Sequence, residues 1–314
     1  MSTFYNAHIV LIQSTMTGLI LALSIQVPLR MGVFSFAGAG AFGICAYTTG
    51  ELVIHENYNS LEAIVAGTML AAAAVLVLSL LIFRLHGLYL AMATVAFDLI
   101  IGVIAINGGT FTGSSTGLYG VISDFSTGKL FLITLIVLVL VALSEVGRTG
   151  RRINAVREDP QLAASFGVNT RRYRLVVLVA SGALGGLAGA MTVLVRSAIG
   201  PTDIGFNLIV LALTMIIVGG ALSWRGALIG AVIFTWLPVW IGFTGQWQEL
   251  VYGILVAVAA VLLPRGIYGV GVDLSRRVRR RRRDADAGIA GVVASDADPD
   301  PVQPEIAAQA RGKA

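Results

Sequence analysis

E-V-G-R-T-G-R-R-I-N-A-V-R-E-D-P-Q-L-A-A-S-F-G-V-N-T-R-R-Y-R, residues 145–174, is a basic break in a chain that is otherwise strongly apolar, and it carries seven arginines. Inside it, Asp159-Pro160 and Gly167 bracket one very short helix. Asp159 can accept from the orphan amides of a first turn, and Pro160 suits the first helical position, where no donor is missed. Gly167 can take the left-handed conformation that ends a helix. The residues between these caps predict a rod of roughly 10 Å. In water so short a helix does not persist alone, so it needs a surface to hold it. Apolar runs of membrane length lie on both sides. A small charged helix between two membrane spans is a part on which another protein can push.

Working outward, the chain has 314 residues, of which 56% are hydrophobic and only 12% charged, with a mean hydropathy of +0.85. Soluble domains are about 25% charged, so this composition predicts an all-α, polytopic transmembrane bundle. The polar–apolar alternation of an outer-membrane barrel is absent. A crossing takes about 20 apolar residues, and nine candidates emerge: 8–27, 33–50, 61–83, 88–106, 125–144, 175–195, 208–223, 227–243 and 247–263. The second is short and glycine-rich, which predicts a broken or re-entrant segment. No cleavable signal peptide is expected, because the first residues are not basic and no small-residue cleavage site follows the first span.

Nine crossings put every lysine and arginine except Lys129 and Arg196 on one face. The positive-inside rule makes that face cytoplasmic, with the N-terminus outside and the C-terminus inside. Residues 1–270 then form the permease domain and 271–314 a cytoplasmic tail. The tail opens with seven arginines in the eight positions 276–283. Tethered to a membrane, that run suits anionic lipid at about 1 kcal/mol per residue and not nucleic acid. The sequence beyond Asp284 has no apolar periodicity and reads as disordered.

Two motif matches are accidental. Gly38-Ala39-Gly40-Ala41-Phe42-Gly43 has dinucleotide-fingerprint spacing but lies inside a span instead of a βαβ unit. Gly113-Ser114-Ser115-Thr116-Gly117 has nucleophile-elbow spacing but lacks a strand, a histidine and an acid around it. No catalytic group, P-loop or metal-ligand spacing is evident, and Cys45, the single cysteine, cannot form an intrachain disulfide. The repeats Gly182-x-x-x-Gly186, Gly185-x-x-x-Gly189 and Gly226-x-x-x-Gly230 predict close helix approach within the chain. Asp98 is the ionisable residue deepest in a span. It is either a pathway group or an aspartate that ties helices together. Standing alone, it argues against proton- or sodium-coupled transport.

Residues 150–175 resemble the cytoplasmic loop of branched-chain amino-acid ABC importer permeases of the LivM type. The resemblance extends to Gly87-Leu88-Tyr89-Leu90-Ala91-Met92-Ala93-Thr94, to Asn107-Gly108-Gly109-Thr110 with Gly113 and Gly117, and to Val218-Gly219-Gly220 through Trp224-Arg225-Gly226-Ala227. It ends on Leu263-Pro264-Arg265-Gly266-Ile267. Gln161-Leu162-Ala163 stands where the wider ABC permease signature has E-A-A.

The resemblance implies a transport subunit, not an enzyme, in a bacterial-type inner membrane. It implies a second homologous permease subunit, two cytoplasmic ATPase subunits that hold ATP and Mg, and an extracytoplasmic substrate-binding protein. Arg157, Glu158, Asp159, Pro160, Ala163 and Gly167 then become the ATPase-coupling residues, and this chain needs no cofactor or metal. Two alternatives stay open: the same fold importing urea, amides or another small polar solute, and an ATPase-independent secondary transporter or channel.

Overall fold

The computed structural model describes residues 2–56 and 58–241, together with 253–254, 257–258 and 266–271. The long helices are α1 (Ser2–Arg30), α2 (Ala37–Ile54), α3 (Ser60–Leu81), α4 (Gly87–Asn107), α5 (Thr127–Glu145), α8 (Thr170–Arg196), α9 (Phe206–Gly219) and α10 (Trp224–Ile241). Two shorter ones, α6 (Gly147–Glu158) and α7 (Pro160–Ser165), join α5 to α8. Among the described residues, seven stretches are long and apolar enough to cross a membrane: His8–Arg30, Ala37–Ile54, Ser60–Leu81, Gly87–Asn107, Thr127–Glu145, Thr170–Arg196 and Pro201–Gly219. They answer the first seven predicted crossings. The predicted eighth corresponds to α10, a shorter apolar helix. The predicted ninth, 247–263, lies outside the described residues except at 253–254 and 257–258, as does the arginine-rich tail beyond Gly271. A first compact unit ends at Gly269 and a second begins at Val270.

Helix α8 is the axis of the first unit because its glycines leave room on two faces. A side chain at Gly185 would strike the carbonyl of Gly38, and one at Gly189 the carbonyl of Phe42, so α2 lies backbone-to-backbone on one face. Gly182 faces Val75 and Gly186 faces Ala71, which seats α3 on the other. In α10, Gly226 meets the backbone of Gly220, just past the end of α9, and Gly230 meets that of Met215 in α9. All three repeats therefore act within the chain, where lipid supplies no hydrophobic drive and dispersion rewards close approach. Apolar side chains of α3, α4 and α5 point outward: Met69, Leu81, Leu88 and Leu140 are all more than half exposed, as lipid-facing surface should be.

The connectors sort to two ends. At one, the α4–α5 and α8–α9 connectors pair as a short antiparallel ladder, β1 (Leu118–Tyr119) against β2 (Ala198–Ile199). Gly117, at φ +82°, permits the close approach to Ile199 and Gly200. Lys129, which bonds the carbonyl of Asp124, and Arg196, which pairs with Asp203 at 3.8 Å, lie at this end. At the other end, the end of α1, the α3–α4 connector, α6, α7 and the starts of α8 and α10 come together with their arginines.

Helix α2 is not broken: it runs unbroken from Ala37 to Ile54. It starts late. Residues 33–36 run as non-helical backbone beside α4, and the Phe36 amide donates to Thr94 Oγ1 at 3.0 Å. Thr94 lies about two turns into α4 and is fully buried. Irregular backbone at that depth is tolerated because protein groups satisfy it.

Candidate functional site

Helix α7 realises both caps. Asp159 Oδ1 accepts from the amides of Gln161 at 2.8 Å and Leu162 at 3.0 Å. At the far end Gly167 sits at φ +79°. Its amide bonds the Ala164 carbonyl, and that of Val168 bonds the Ala163 carbonyl. This is the double closure of a Schellman motif. Six residues thus have their end groups satisfied without help from a neighbour.

A small second core holds the rod. Ala163 is 3% exposed and packs with Ile153 and Val156 of α6, Met31 and Val33 of the α1–α2 turn, Ile82, Leu90, and Val177 of α8. Helix α6 reaches it by folding back on α5. Gly147 turns the chain at φ +76°, and Gly150 has only hydrogen facing the Glu145 carbonyl. Arg157 lies along Gly32, whose φ of +75° shapes the α1–α2 turn. The outward face of α7 carries Leu162, 56% exposed, and Phe166, 80% exposed. These stand one turn apart on one side of the helix.

The same end contains a buried charge knot. Arg30, 5% exposed, approaches Glu145 at 3.5 Å and Ser144 Oγ at 3.3 Å. Glu145 in turn accepts from the Trp224 amide at 2.8 Å and from Ser223 Oγ at 3.3 Å. One carboxylate therefore joins the ends of α1 and α5 to the start of α10.

Asp98 lies elsewhere, inside the bundle. It is 1% exposed, and neither carboxylate oxygen has a hydrogen-bond partner among the described residues. It stands one turn beyond Thr94 on the face of α4 that meets α2, with its backbone against Gly40. Around the neighbouring Gly38 stand Ser24 of α1 and Ser181 of α8. Ser181 and the fully buried Gln26 also have side-chain atoms without a partner. A buried polar group without a bond is costly, so this interior is polar beyond what packing requires.

The structure thus brings Arg157, Glu158, Asp159, Pro160, Ala163 and Gly167 together and sets Asp98 apart. Sequence reasoning missed three features: helix α6, the apolar pair Leu162 and Phe166, and the Arg30–Glu145 knot. Helix α6 was signalled by Ile153 and Val156 at helical spacing, and the exposed pair by its four-residue separation. Nothing local signalled the knot. Among the described residues no group of His, Cys, Asp and Glu is arranged to hold a metal.

Comparison with known proteins bears on the whole chain. Residues 8–260 match the family described as branched-chain amino acid transport system / permease component. The high-affinity branched-chain amino acid transport system permease protein LivM of Escherichia coli (strain K12) is 24% identical over 81% of this chain and 68% of its own length. The probable branched-chain amino acid transport permease protein LivH of Methanocaldococcus jannaschii is 29% identical over 73% of this chain and 76% of its own. No solved structure matches the chain significantly.

Proposed function

Since this chain belongs to the branched-chain amino acid transport permease family, we propose that it is the membrane subunit of an ABC importer for branched-chain or other neutral amino acids, driven through residues 157–167 by a cytoplasmic ATPase. The observation that carries this reading is the exposed Leu162–Phe166 pair on a helix capped at both ends and anchored by Ala163. A rigid rod with an apolar tip, outside the membrane-length helices, is a knob for a protein groove. Because α6 and α7 share a core with the ends of α1, α3 and α8, a push on the knob reaches the bundle as a rigid displacement.

The arginine-rich end is then cytoplasmic, in an inner membrane, with the N-terminus outside. A second homologous permease subunit completes the pathway, two ATPase subunits hold ATP and Mg, and an extracytoplasmic binding protein delivers the solute. Asp98 is a pathway group in this reading. Its bare carboxylate beside the late start of α2 is suited to a solute that carries a positive charge as well as a negative one. The relatives' names favour amino acids over urea or amides as cargo.

The test is Leu162→Ser with Phe166→Ser. The bundle should insert as before, while retention of the ATPase subunits and ATP-dependent uptake are lost. Undiminished coupling in that variant, or uptake by the chain without any ATPase, points instead to a secondary transporter or channel.

A further inference from the structure

A cavity of about 460 Å³ opens where α3 ends, α4 and α8 begin, and the α6–α7 platform comes down on them. Its floor is apolar, made by Leu80, Leu90, Val156 and Leu178, and Pro160 of α7 forms part of its wall. Three arginines line it, Arg84, Arg171 and Arg174, together with His86. Arg84 and Arg171 both lie over the ring of Phe83, at 5.6 Å and 4.6 Å from its centre, which gathers both cations on one side chain that lines the cavity. Arg174 donates to the Leu85 carbonyl, while its buried Nε has no partner among the described residues. None of the three pairs with a carboxylate among the described residues, and no acidic residue lines the cavity. Helix α4 opens here without a side chain capping its first amides.

Three arginines lining one cavity with no acid beside them favour an anion. The apolar floor requires that the anion carry a hydrocarbon part. Three membrane-length helices begin or end at this level, so the cavity sits at headgroup depth. Leu80, Leu81 and Leu88, all more than half exposed, continue its floor onto the lipid-facing surface. We infer that the cavity holds one anionic phospholipid, with its phosphate among Arg84, Arg171 and Arg174 and an acyl chain leaving between α3 and α4. Because Pro160 and Val156 form part of the wall, the bound lipid braces the α6–α7 platform from beneath.

The inference is independent of the transport reading and is tested by binding alone. The full chain is placed in phosphatidylcholine nanodiscs doped with phosphatidylglycerol, and retained lipid is counted by native mass spectrometry. Wild type retains phosphatidylglycerol in preference to phosphatidylcholine. Each arginine near an anionic headgroup contributes about fivefold, so Arg84→Gln with Arg171→Gln lowers retention roughly thirtyfold. Both side chains are exposed, which leaves the fold intact. Leu80→Trp, which fills the floor without changing charge, also lowers retention. Equal retention of the two lipids, or no loss in the double arginine variant, overturns the proposal. Displacement by inorganic phosphate would show a site for the free anion, and displacement by the ATPase subunits a protein-docking groove; either result also overturns it.

Discussion

Glu145, the last residue of α5, accepts a hydrogen bond from the backbone amide of Trp224, the first residue of α10, at 2.8 Å. The same carboxylate oxygen faces Arg30 at 3.5 Å, and the two side chains are only 17% and 6% exposed. Removing one partner of such a pair strands the other charge. Glu145→Ala should therefore lower stability in detergent by about 3–5 kcal/mol. Glu145→Gln, which keeps an acceptor for Trp224, should cost less. Arg30→Met with Glu145→Leu should recover most of the loss, since no lone charge remains buried. Thermal unfolding of the four proteins checks the order; a double variant as weak as Glu145→Ala would contradict it.

The caps of α7 are separable from the bundle. Asp159→Ala removes two amide bonds and costs about 1 kcal/mol. Gly167→Val forces a branched residue to φ +79° at a further 1–2 kcal/mol or about that. Hydrogen exchange of residues 160–166 should rise sharply in the double variant while the unfolding temperature of the bundle moves little. Uptake per ATP hydrolysed should fall. Normal coupling with a frayed helix would remove α7 from the mechanism.

Asp98→Asn takes away a charge and leaves the volume. Both carboxylate oxygens are buried without a partner among the described residues, so the substitution should not destabilise the protein. Uptake should nonetheless fall by about tenfold or more, equivalent to ~1.4 kcal/mol of lost interaction. Reconstituted uptake measured beside the unfolding temperature separates the two effects. Loss of stability in step with loss of transport would reduce Asp98 to a structural tie.

Close helix approach can be tested on matched glycines. Gly185→Ala drives a methyl group into the Gly38 carbonyl, backbone that cannot move aside, and should cost about 1–3 kcal/mol with a fall in folded yield. Gly102→Ala, in α4, meets nothing within 4 Å. It should be neutral or slightly stabilising, because alanine favours the helix by about 1 kcal/mol. Equal yields from the two variants would show that the α2–α8 contact does not limit assembly.

Much of the arginine-rich end was legible because its signals are local. Asp159, Pro160 and Gly167 act on amides and carbonyls within a turn of themselves, so their meaning survives without the rest of the fold. The late start of α2 was half legible. Its glycines announced an irregular segment, but a continuous helix beginning at Ala37 follows from the bond between Phe36 and Thr94, 58 positions apart.

The sequence by itself determined the membrane class, the first seven apolar stretches and the capped rod between α5 and α8. Hydropathy and capping act over a few residues, and the environment imposes them on any arrangement of the helices. Only the tertiary structure decided that α8 is the axis, that Ala163 faces inward while Leu162 and Phe166 face out, and that Glu145 joins Arg30 to Trp224. Those outcomes depend on which surfaces meet. Between residues 79 positions apart, as Glu145 and Trp224 are, contact is set by the packing of whole helices and by no property of the intervening chain.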